Sequence, residues 1–365
     1  MKILELCANY PGPKEKAALS FVKARNHIYR EQGINDITVL NFTLSDGYYI
    51  EDGFKVISLS EYKKNFSKEN FDLLISHAPN LRNHYRFLLK YQRRFKKLVF
   101  VFHGGEVLDI RKEYPKPYPY LYKRGINRQI NRVYDPFKFK VWHHYFLRQS
   151  ENVTLIFVSE WIEKKFQEYL KLPLDQISAR HYIINNSISK RFEDLSYDLN
   201  LPKEYDFITI RSNLDNPKYA VDVVNNLAKS NPQLKFLLIG RGDYFNHYEK
   251  AQNIEQIERY LSPDEITVLL NKSKCALMPT KNDTQGIMAC EMASFGMPLI
   301  TSDIDVCRMV FDGFINVAFI SNEKTDINLQ DVMSAIQPLK EKNKKYFFEN
   351  TILKEVELIK SIANE

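Results

Sequence analysis

The sequence predicts an α/β protein built from two parallel-sheet halves. Two observations carry that reading: short continuous apolar runs alternate with amphipathic stretches along the first part of the chain, and the same alternation resumes after a polar, weakly periodic stretch. The length of 365 residues fits two domains, and a composition of 44% hydrophobic and 27% charged residues is that of a folded globular chain.

In the first half, Lys2 to Ala8 reads as a strand and Glu15 to Glu31 as a helix ended by Gly33. Ile37 to Asn41, Phe71 to Ser76, Leu98 to Phe102 and Val153 to Val158 read as further strands. Unbroken apolar strands between helices are those of a parallel sheet covered on both faces, a Rossmann-like arrangement. The stretch NNSISKRFEDLSYDLNLPKEYD is the expected linker. Beyond it Phe207 to Ile210, Leu234 to Ile239, Cys275 to Met278 and Pro298 to Thr301 supply the strands of a second such half. Ser262-Pro263-Asp264-Glu265 is a helix start: Ser caps, Pro takes the first helical position and Glu closes a capping box, with the helix running to about Lys272. Glu341 to Ile362 reads as a charged terminal helix. The expected domains are 1–185, 206–340 and a terminal helix over 341–365.

Cys7, Cys275, Cys290 and Cys307 form no C-x-x-C pair, and three of them lie in apolar runs, as expected of reduced buried thiols. The start MKILELCANYPG reads as too short and too polar for a signal sequence, and no stretch approaches the roughly 20 apolar residues of a membrane span. A cytoplasmic location is the expectation.

The most informative segment is PTKNDTQGIMACEMASFGMPLITSD, from Pro279 to Asp303: a strand end, a polar loop, an apolar helix and another strand. Asp283 lies in the loop and Glu291 eight positions on. At about 100° per residue, a helix starting near Gly286 turns Glu291 back toward its own N-terminus, where unpaired N–H groups and the positive end of the helix dipole stabilise an anion.

Asp283, Gly286, Glu291, Ala293, Gly296 and Pro298, in that order, resemble the donor motif of retaining glycosyltransferases of the GT-B fold, glycosyltransferase family 4 (glycosyl transferases group 1). The chain departs from the family at Asp283, where Glu is usual, and at Gln285, where an aromatic residue is usual. The resemblance implies two Rossmann-like domains with sheets facing across a cleft, acceptor on the first and nucleotide-sugar on the second, and a terminal helix packed back on the first. It implies that Glu291 takes the vicinal ribose hydroxyls and Asp283 the donor-sugar hydroxyls, with the N–H groups of Gly286, Ile287 and Met288 directed at phosphate and sugar. Asp283 also suits a helix cap.

Arg211 and Lys218 follow the strand DFITI, and the family carries an Arg and a Lys there, more closely spaced, on the donor diphosphate. IGRGDYF resembles the family's G-x-G turn and puts Arg241 within reach of phosphate or ribose. RYLSPDE resembles the loop that reads the nucleobase, with Tyr260 and Leu261 beside the ring, although a core Tyr fits equally. In VFHGGEVLD, His103 stands where the family has H-G lining the cleft. It suits contact with the donor sugar, or satisfaction by backbone at a strand end. Glu106 either orients the acceptor hydroxyl or caps the next helix. Pro11-Gly12-Pro13 replaces the paired glycines of the family's first loop and leaves Gly12 as a phosphate candidate. FVSEWIEKKF and NNSISKRF complete the resemblance, with Asn185 in place of Pro and Ser187 in place of Gly. It extends over about residues 1 to 310.

The net charge of +7 is unevenly spread: Arg82 to Arg148 holds seventeen Lys/Arg against four Asp/Glu, a local +13, leaving 7 minus 13, or −6, elsewhere. Tyr, Phe and Trp interleave with these charges, which suits an anionic membrane surface at about 1 kcal/mol per basic residue. A solvated charged face over an ordinary aromatic core accounts for the same composition. Nucleic-acid binding is disfavoured, since no recognition motif accompanies the charge. Asp303-Ile304-Asp305 matches a metal-binding D-x-D, but it follows a donor motif that is already complete, so neither metal nor other cofactor is expected.

The function expected is transfer of a sugar from a UDP-type donor to a lipid-linked or surface-polysaccharide acceptor at the inner face of the plasma membrane. The alternatives are a non-catalytic GT-B partner of another transferase and a GT-B-like sugar-nucleotide epimerase.

Overall fold

The computed structural model describes residues 1–12, 20–337, 339 and 341–365. The chain divides into two units, residues 1–108, 134–185 and 351–365 in the first and residues 109–133 and 186–350 in the second.

The first unit holds strands β1 (Lys2–Cys7), β2 (Asp36–Asn41), β3 (Tyr48–Glu51), β4 (Phe54–Ile57), β5 (Phe71–His77), β6 (Phe95–Phe102), β7 (Val153–Phe157) and β8 (Arg180–Ile183). Among the described residues they form one sheet in the order β3-β4-β2-β1-β5-β6-β7-β8, parallel except for the β3–β4 hairpin. Ile3 of β1 sits opposite Ile37 of β2 and Leu73 of β5, so the central strands meet apolar neighbours on both sides. From β1 the chain builds outward to β2 and the hairpin, then returns to lay β5 on the other side. The strand order reverses between β1 and β5, leaving a crevice at their carboxyl ends. Asp52-Gly53 joins β3 to β4, both residues at positive φ (49° and 83°), the backbone that matches strand twist in a two-residue hairpin.

Helix α1 (Ser20–Glu31) ends before Gly33 at φ +85°, as the sequence predicts, while the expected turns from Glu15 to Leu19 lie outside the described residues. Helix α2 (Tyr122–Gln149) carries much of the basic, aromatic segment. In its second half Phe139, Trp142, Tyr145 and Phe146 are buried, with Phe146 edge-on to Phe100 of β6 at 5.1 Å. Lys138 is buried there as well. Its ammonium pairs with Asp135 at 2.9 Å and donates to the carbonyls of Gly105 and Leu108, so these charges are structural. Residues 109–133, expected in the first domain, belong to the second unit. There Tyr118 donates to Asp222 (3.2 Å), Tyr120 to Asp215 (2.8 Å) and Asn282 to the Glu113 carbonyl (2.7 Å).

The second unit holds β9 (Tyr205–Ile210), β10 (Phe236–Ile239), β11 (Ile254–Ile257), β12 (Ser273–Met278), β13 (Leu299–Ser302) and β14 (Val317–Ile320), all parallel in the order β11-β10-β9-β12-β13-β14. Here the reversal falls between β9 and β12. Helix α3 (Pro263–Asn271) opens with the expected capping box, Ser262 Oγ accepting from Glu265 N at 3.3 Å and Glu265 accepting from Ser262 N at 2.8 Å. Helix α4 (Ile287–Phe295) is buried from Ala289 through Phe295, the environment that a helix apolar on every face requires.

Two expectations are corrected. The stretch from Asn185 to Asp206 is not an independent linker: it contains a short helix, Lys190–Asp194, and is tied down by Asn186 on Gln285, Ser189 on Glu291 and Tyr197 on the Ser273 carbonyl. The terminal helix α5 covers only Ile352–Ala363. Tyr346, fully buried, stacks on Phe314 and donates to the Val310 carbonyl, and this packing outweighs the helical periodicity of the residues before Ile352. Helix α5 lies in the first unit, where its buried Glu355 meets Arg25 at 3.3 Å and Tyr29 of α1.

Ser262→Ala removes one half of the capping box and should cost about 1 kcal/mol of stability in urea unfolding. An unchanged midpoint would show that Glu265 and Pro263 suffice to start α3.

Candidate functional site

In the second unit the strand-order reversal leaves the carboxyl ends of β9 and β12 side by side, and Arg211 sits there. Its side chain is buried, Nη2 donates to the Pro279 carbonyl at 2.6 Å, and Nε has no hydrogen-bond partner among the described residues. Burial pulls its pKa down and Asp283 pushes it back up, so the guanidinium stays a cation beside a carboxylate. Arg211 and Asp283 line one small cavity with Met278, Thr280, Gly286 and Cys307. The cavity wall is otherwise mainly apolar, with Val306, Val310 and Phe311, so the unpaired donor of Arg211 is a place for a ligand oxygen.

Lys218 lies in the turn Pro217–Tyr219. Its carbonyl accepts from Lys281 N and Thr280 Oγ1, both at 2.8 Å, which ties the turn to the loop leaving β12. Its ammonium is 4.8 Å from the centre of the Tyr219 ring and makes no ion pair among the described residues. The Arg211 guanidinium stands 5.2 Å from the same ring centre. Tyr219, which sequence reasoning missed, thus holds two cations at one place; an aromatic between two basic residues was the only signal for it.

Asp283 Oδ1 accepts from Thr284 N at 2.8 Å, and its side chain does not cap the helix: α4 has no side-chain cap. Gly286 stands at the N-cap with φ +73°, and a Cβ there would lie 3.2 Å from Asp283 Oδ2. Glycine therefore permits both the left-handed turn and the approach of the carboxylate. The first N–H groups of α4, from Ile287 and Met288, make no hydrogen bond among the described residues.

Glu291 is buried on α4, and Oε1 accepts from Ser189 N at 3.0 Å. It does not line the cavity shared by Arg211 and Asp283. Burial pushes its pKa up to about 7, the Ser189 N–H offsetting part of the effect.

At the neighbouring strand end, Gly240 and Gly242 let the loop after β10 lie on the loop after β9. A Cβ at Gly240 would come within 2.4 Å of the Arg211 carbonyl, and one at Gly242 within 2.9 Å of Asp215 Oδ2. Asp215, also missed, accepts from Asp243 N at 2.9 Å. Arg241 stacks over Tyr260 at 4.6 Å, and Tyr260 is 66% exposed, so it is an open aromatic face and not a core residue. Leu261 beside it is half-buried.

In the first unit His103 follows β6. Its Nε2 is 3.3 Å from Nδ1 of His77, its ring lies 4.6 Å from that of Phe21, and burial beside Arg25 and His77 pushes its pKa down, so the imidazole is neutral. Glu106 turns inward: Oε1 accepts from the backbone N–H groups of His103 and Gly104. Burial raises its pKa, with these bonds opposing. It closes its own loop and does not cap the next helix, Ile110–Glu113, where Asp109 accepts from the N–H groups of Arg111 and Lys112. Gly12 is likewise a packing position: it is buried, a Cβ would lie 2.9 Å from the Tyr49 ring, and Tyr49 donates to the Pro11 carbonyl. Asp303 makes a two-point ion pair with Arg308 at 2.5 and 2.9 Å.

Two α/β units built on parallel-dominated sheets are the architecture of the GT-B fold. Sucrose-phosphate synthase from Thermosynechococcus elongatus has the same fold, with a TM-score of 0.73 at 12% identity over 99% of this chain and 99% of that one. The E. coli trehalose-6-phosphate structure bound with UDP-2-fluoro glucose matches with TM-score 0.59 at 10% identity, over 100% of this chain and 99% of that one. WaaG, a glycosyltransferase involved in lipopolysaccharide biosynthesis, gives 0.57 at 13%, over 91% and 90%. No curated protein matches the sequence significantly. Residues 208–337, within the second unit, match the family Glycosyl transferases group 1.

Glu291 carries a stability prediction. The pKa of a buried acid is raised on folding, so the cost is nil below about 4.5, grows as pH rises through the window up to about 7, and is constant above it. Glu291→Gln keeps an acceptor for Ser189 N–H and removes that cost. The variant should gain on the wild type between pH 4.5 and 7.5, by on the order of 3 kcal/mol at the upper end. Urea unfolding at pH 5 and pH 8 measures it, and a pH-independent difference refutes it.

Proposed function

We propose that the chain transfers a sugar, with retention of configuration, from a nucleotide-sugar of UDP type to a lipid-linked or surface-polysaccharide acceptor, without a metal ion. The observation that carries this reading is the pair of cations Arg211 and Lys218 on Tyr219, with Arg211 sharing a cavity with Asp283 and with Gly286 at the uncapped start of α4. In this reading the two cations and the N–H groups of Ile287 and Met288 offset the diphosphate charge, which grows as the bond from the sugar carbon to the diphosphate oxygen breaks. Asp283 holds sugar hydroxyls, and Arg241 with Tyr260 offers a stacking face for the base. The acceptor oxygen bonds the anomeric carbon on the face the diphosphate leaves, through an oxocarbenium-like ion pair, and its proton passes to the departing phosphate. His103, neutral, contacts the donor sugar. Glu291 keeps the ribose role as its second oxygen allows.

Membrane contact at the cytoplasmic face is part of the proposal. Ile126, Ile130 and Val133 are exposed along α2 with Lys123 and Arg132 exposed beside them, an apolar row with basic flanks that suits an anionic bilayer surface. No helix among the described residues is long and apolar enough to cross a membrane.

A second reading, a non-catalytic partner of another transferase, is favoured by one observation, the engagement of Glu291 Oε1 by Ser189 N–H. Calorimetry with UDP-sugars separates the two, since heat at millimolar donor supports the enzyme and its absence supports the partner.

Lys218→Ala and Glu291→Ala should each lower turnover by on the order of 10²-fold while far-UV circular dichroism stays unchanged. Wild-type rates in both would end the proposal. Turnover should also survive EDTA, whereas restoration only by Mn²⁺ or Mg²⁺ would contradict a metal-free site.

A further inference from the structure

Below the carboxyl end of the first sheet lies a buried polar row that the donor site does not use. It begins at Glu5, in the middle of β1, whose side chain is fully buried. Glu5 Oε2 accepts from Asn26 Nδ2 at 2.7 Å, while Oε1 has no hydrogen-bond partner among the described residues. Facing Oε1 at 3.9 Å is Nε2 of His77, the last residue of β5, equally buried and equally without a partner. The other nitrogen of His77, Nδ1, is 3.3 Å from His103 Nε2. Residues 5, 77 and 103 thus lie in a row across β1, β5 and the exit of β6, adjacent strands in this sheet, and the row crosses the point where its strand order reverses.

A separation of 3.9 Å exceeds a hydrogen bond. Leaving two facing buried polar atoms unpaired costs about 1–3 kcal/mol each, and closing by about 1 Å satisfies both. Of the ways to distribute protons along such a row, the one without net charge suits a buried site. In it the acid form of Glu5 donates to His77 Nε2, His77 Nδ1–H donates to His103 Nε2, and His103 carries its remaining proton on Nδ1. That nitrogen makes no hydrogen bond within the described residues. If Glu5 ionises, every bond in the row reverses: His77 donates from Nε2 to the carboxylate, His103 donates from Nε2 to His77, and Nδ1 of His103 becomes an acceptor. No proton is gained or lost by the two imidazoles; each moves its own from one nitrogen to the other.

We propose that Glu5 and His77 are positioning residues that select the tautomer of His103, holding it in the Nδ1–H form so that it donates a hydrogen bond to an oxygen of the bound sugar. The proposal rests on the sugar-contact role given to His103 above. Burial supports it by raising the Glu5 pKa to about 8, against the pull of Asn26. The other ionisable groups around the row are Arg25 and Tyr29 on α1, Glu355 on α5, Cys7 on β1, and Tyr10 and His84. Arg25 and Glu355 form an ion pair. Burial pushes Cys7, Tyr10 and Tyr29 up and His84 down to about 4, which leaves Glu5 as the group that changes state just above neutral pH.

The test is ¹⁵N NMR of the histidine ring nitrogens in the full chain, which reads tautomers without turnover. In wild type at pH 7, His77 and His103 should both carry the proton on Nδ1, and both should move to the Nε2–H form as pH rises from 7 to 9.5. Glu5→Gln, whose amide donates to His77 Nε2 at every pH, should hold both in the Nδ1–H form throughout. Where donor turnover is measurable, kcat of the wild type should fall several-fold over the same pH range with little change in KM, and kcat of Glu5→Gln should not. A wild-type His103 protonated on Nε2 at pH 7, or tautomers indifferent to pH, overturns the proposal, and the wild-type titration decides this even if Glu5→Gln does not fold. Tautomers that switch in a protein that calorimetry shows not to bind UDP-sugars would uphold the row and reject the donor-site reading instead.

Discussion

The reversal of strand order between β9 and β12 is the constraint on which the donor side of this molecule depends. Crossovers leave these two strand ends without a covering loop, so the groups just beyond them are unpaired by backbone and must be satisfied some other way. Arg211 does so from one side, its guanidinium reaching the Pro279 carbonyl, and in bridging the two strand ends it is held at the wall of a cavity with one nitrogen unpaired. Around it everything else is arranged by backbone proximity. Gly240 and Gly242 let one loop lie against the next, Gly286 lets Asp283 approach the start of α4, and the Lys218 turn is tied to Thr280 and Lys281.

Among the described residues five carboxylates are buried, and the way each is neutralised tells its role. Asp135 pairs with the Lys138 ammonium on its own helix. Glu355 meets Arg25 and Tyr29, a pairing that docks α5 on α1. Glu106 is taken up by backbone N–H groups of its own loop, which gives the loop after β6 its shape and presents His103. Glu291 is held by one N–H, from Ser189, and so fixes the segment leading into the second sheet. Glu5 has the least support, a single amide, with one oxygen turned to another unpaired atom. A buried acid so poorly compensated stays in the sheet at a cost in stability, and such groups concentrate where chemistry uses them.

The central strands were legible because burial on both faces demands unbroken apolar runs: β1, β5, β6, β7, β9, β10, β12 and β13 all appear in the sequence at nearly their observed limits. The strands that escaped notice are β3, β8, β11 and β14 at the sheet edges, and β4 beside β3. RHYI of β8 is exposed at every position, and β11 buries only Ile254. An edge strand is covered on fewer sides, so its sequence carries no apolar run to read. The Asp52-Gly53 turn was a signal that periodicity alone passed over. The terminal helix was overextended for the opposite reason: residues before Ile352 have helical spacing, but the aromatic side chain of Tyr346 is buried against Phe314 instead.

By itself the sequence determined the order of the central elements and the residue types at the donor motif, because these depend on local pattern and spacing: a capping box, a glycine before an apolar helix, a basic pair after a strand. Tertiary structure alone decided which of those residues meet. Asp283 and Arg211 share a cavity while Glu291, on the same short motif, turns to Ser189. Glu106 serves its own backbone, and Glu5, His77 and His103 come into a row although scores of residues separate them along the chain. The reason is geometric: parallel strands bring distant positions side by side through crossovers, and pairing between buried polar atoms follows that register, which no local spacing encodes.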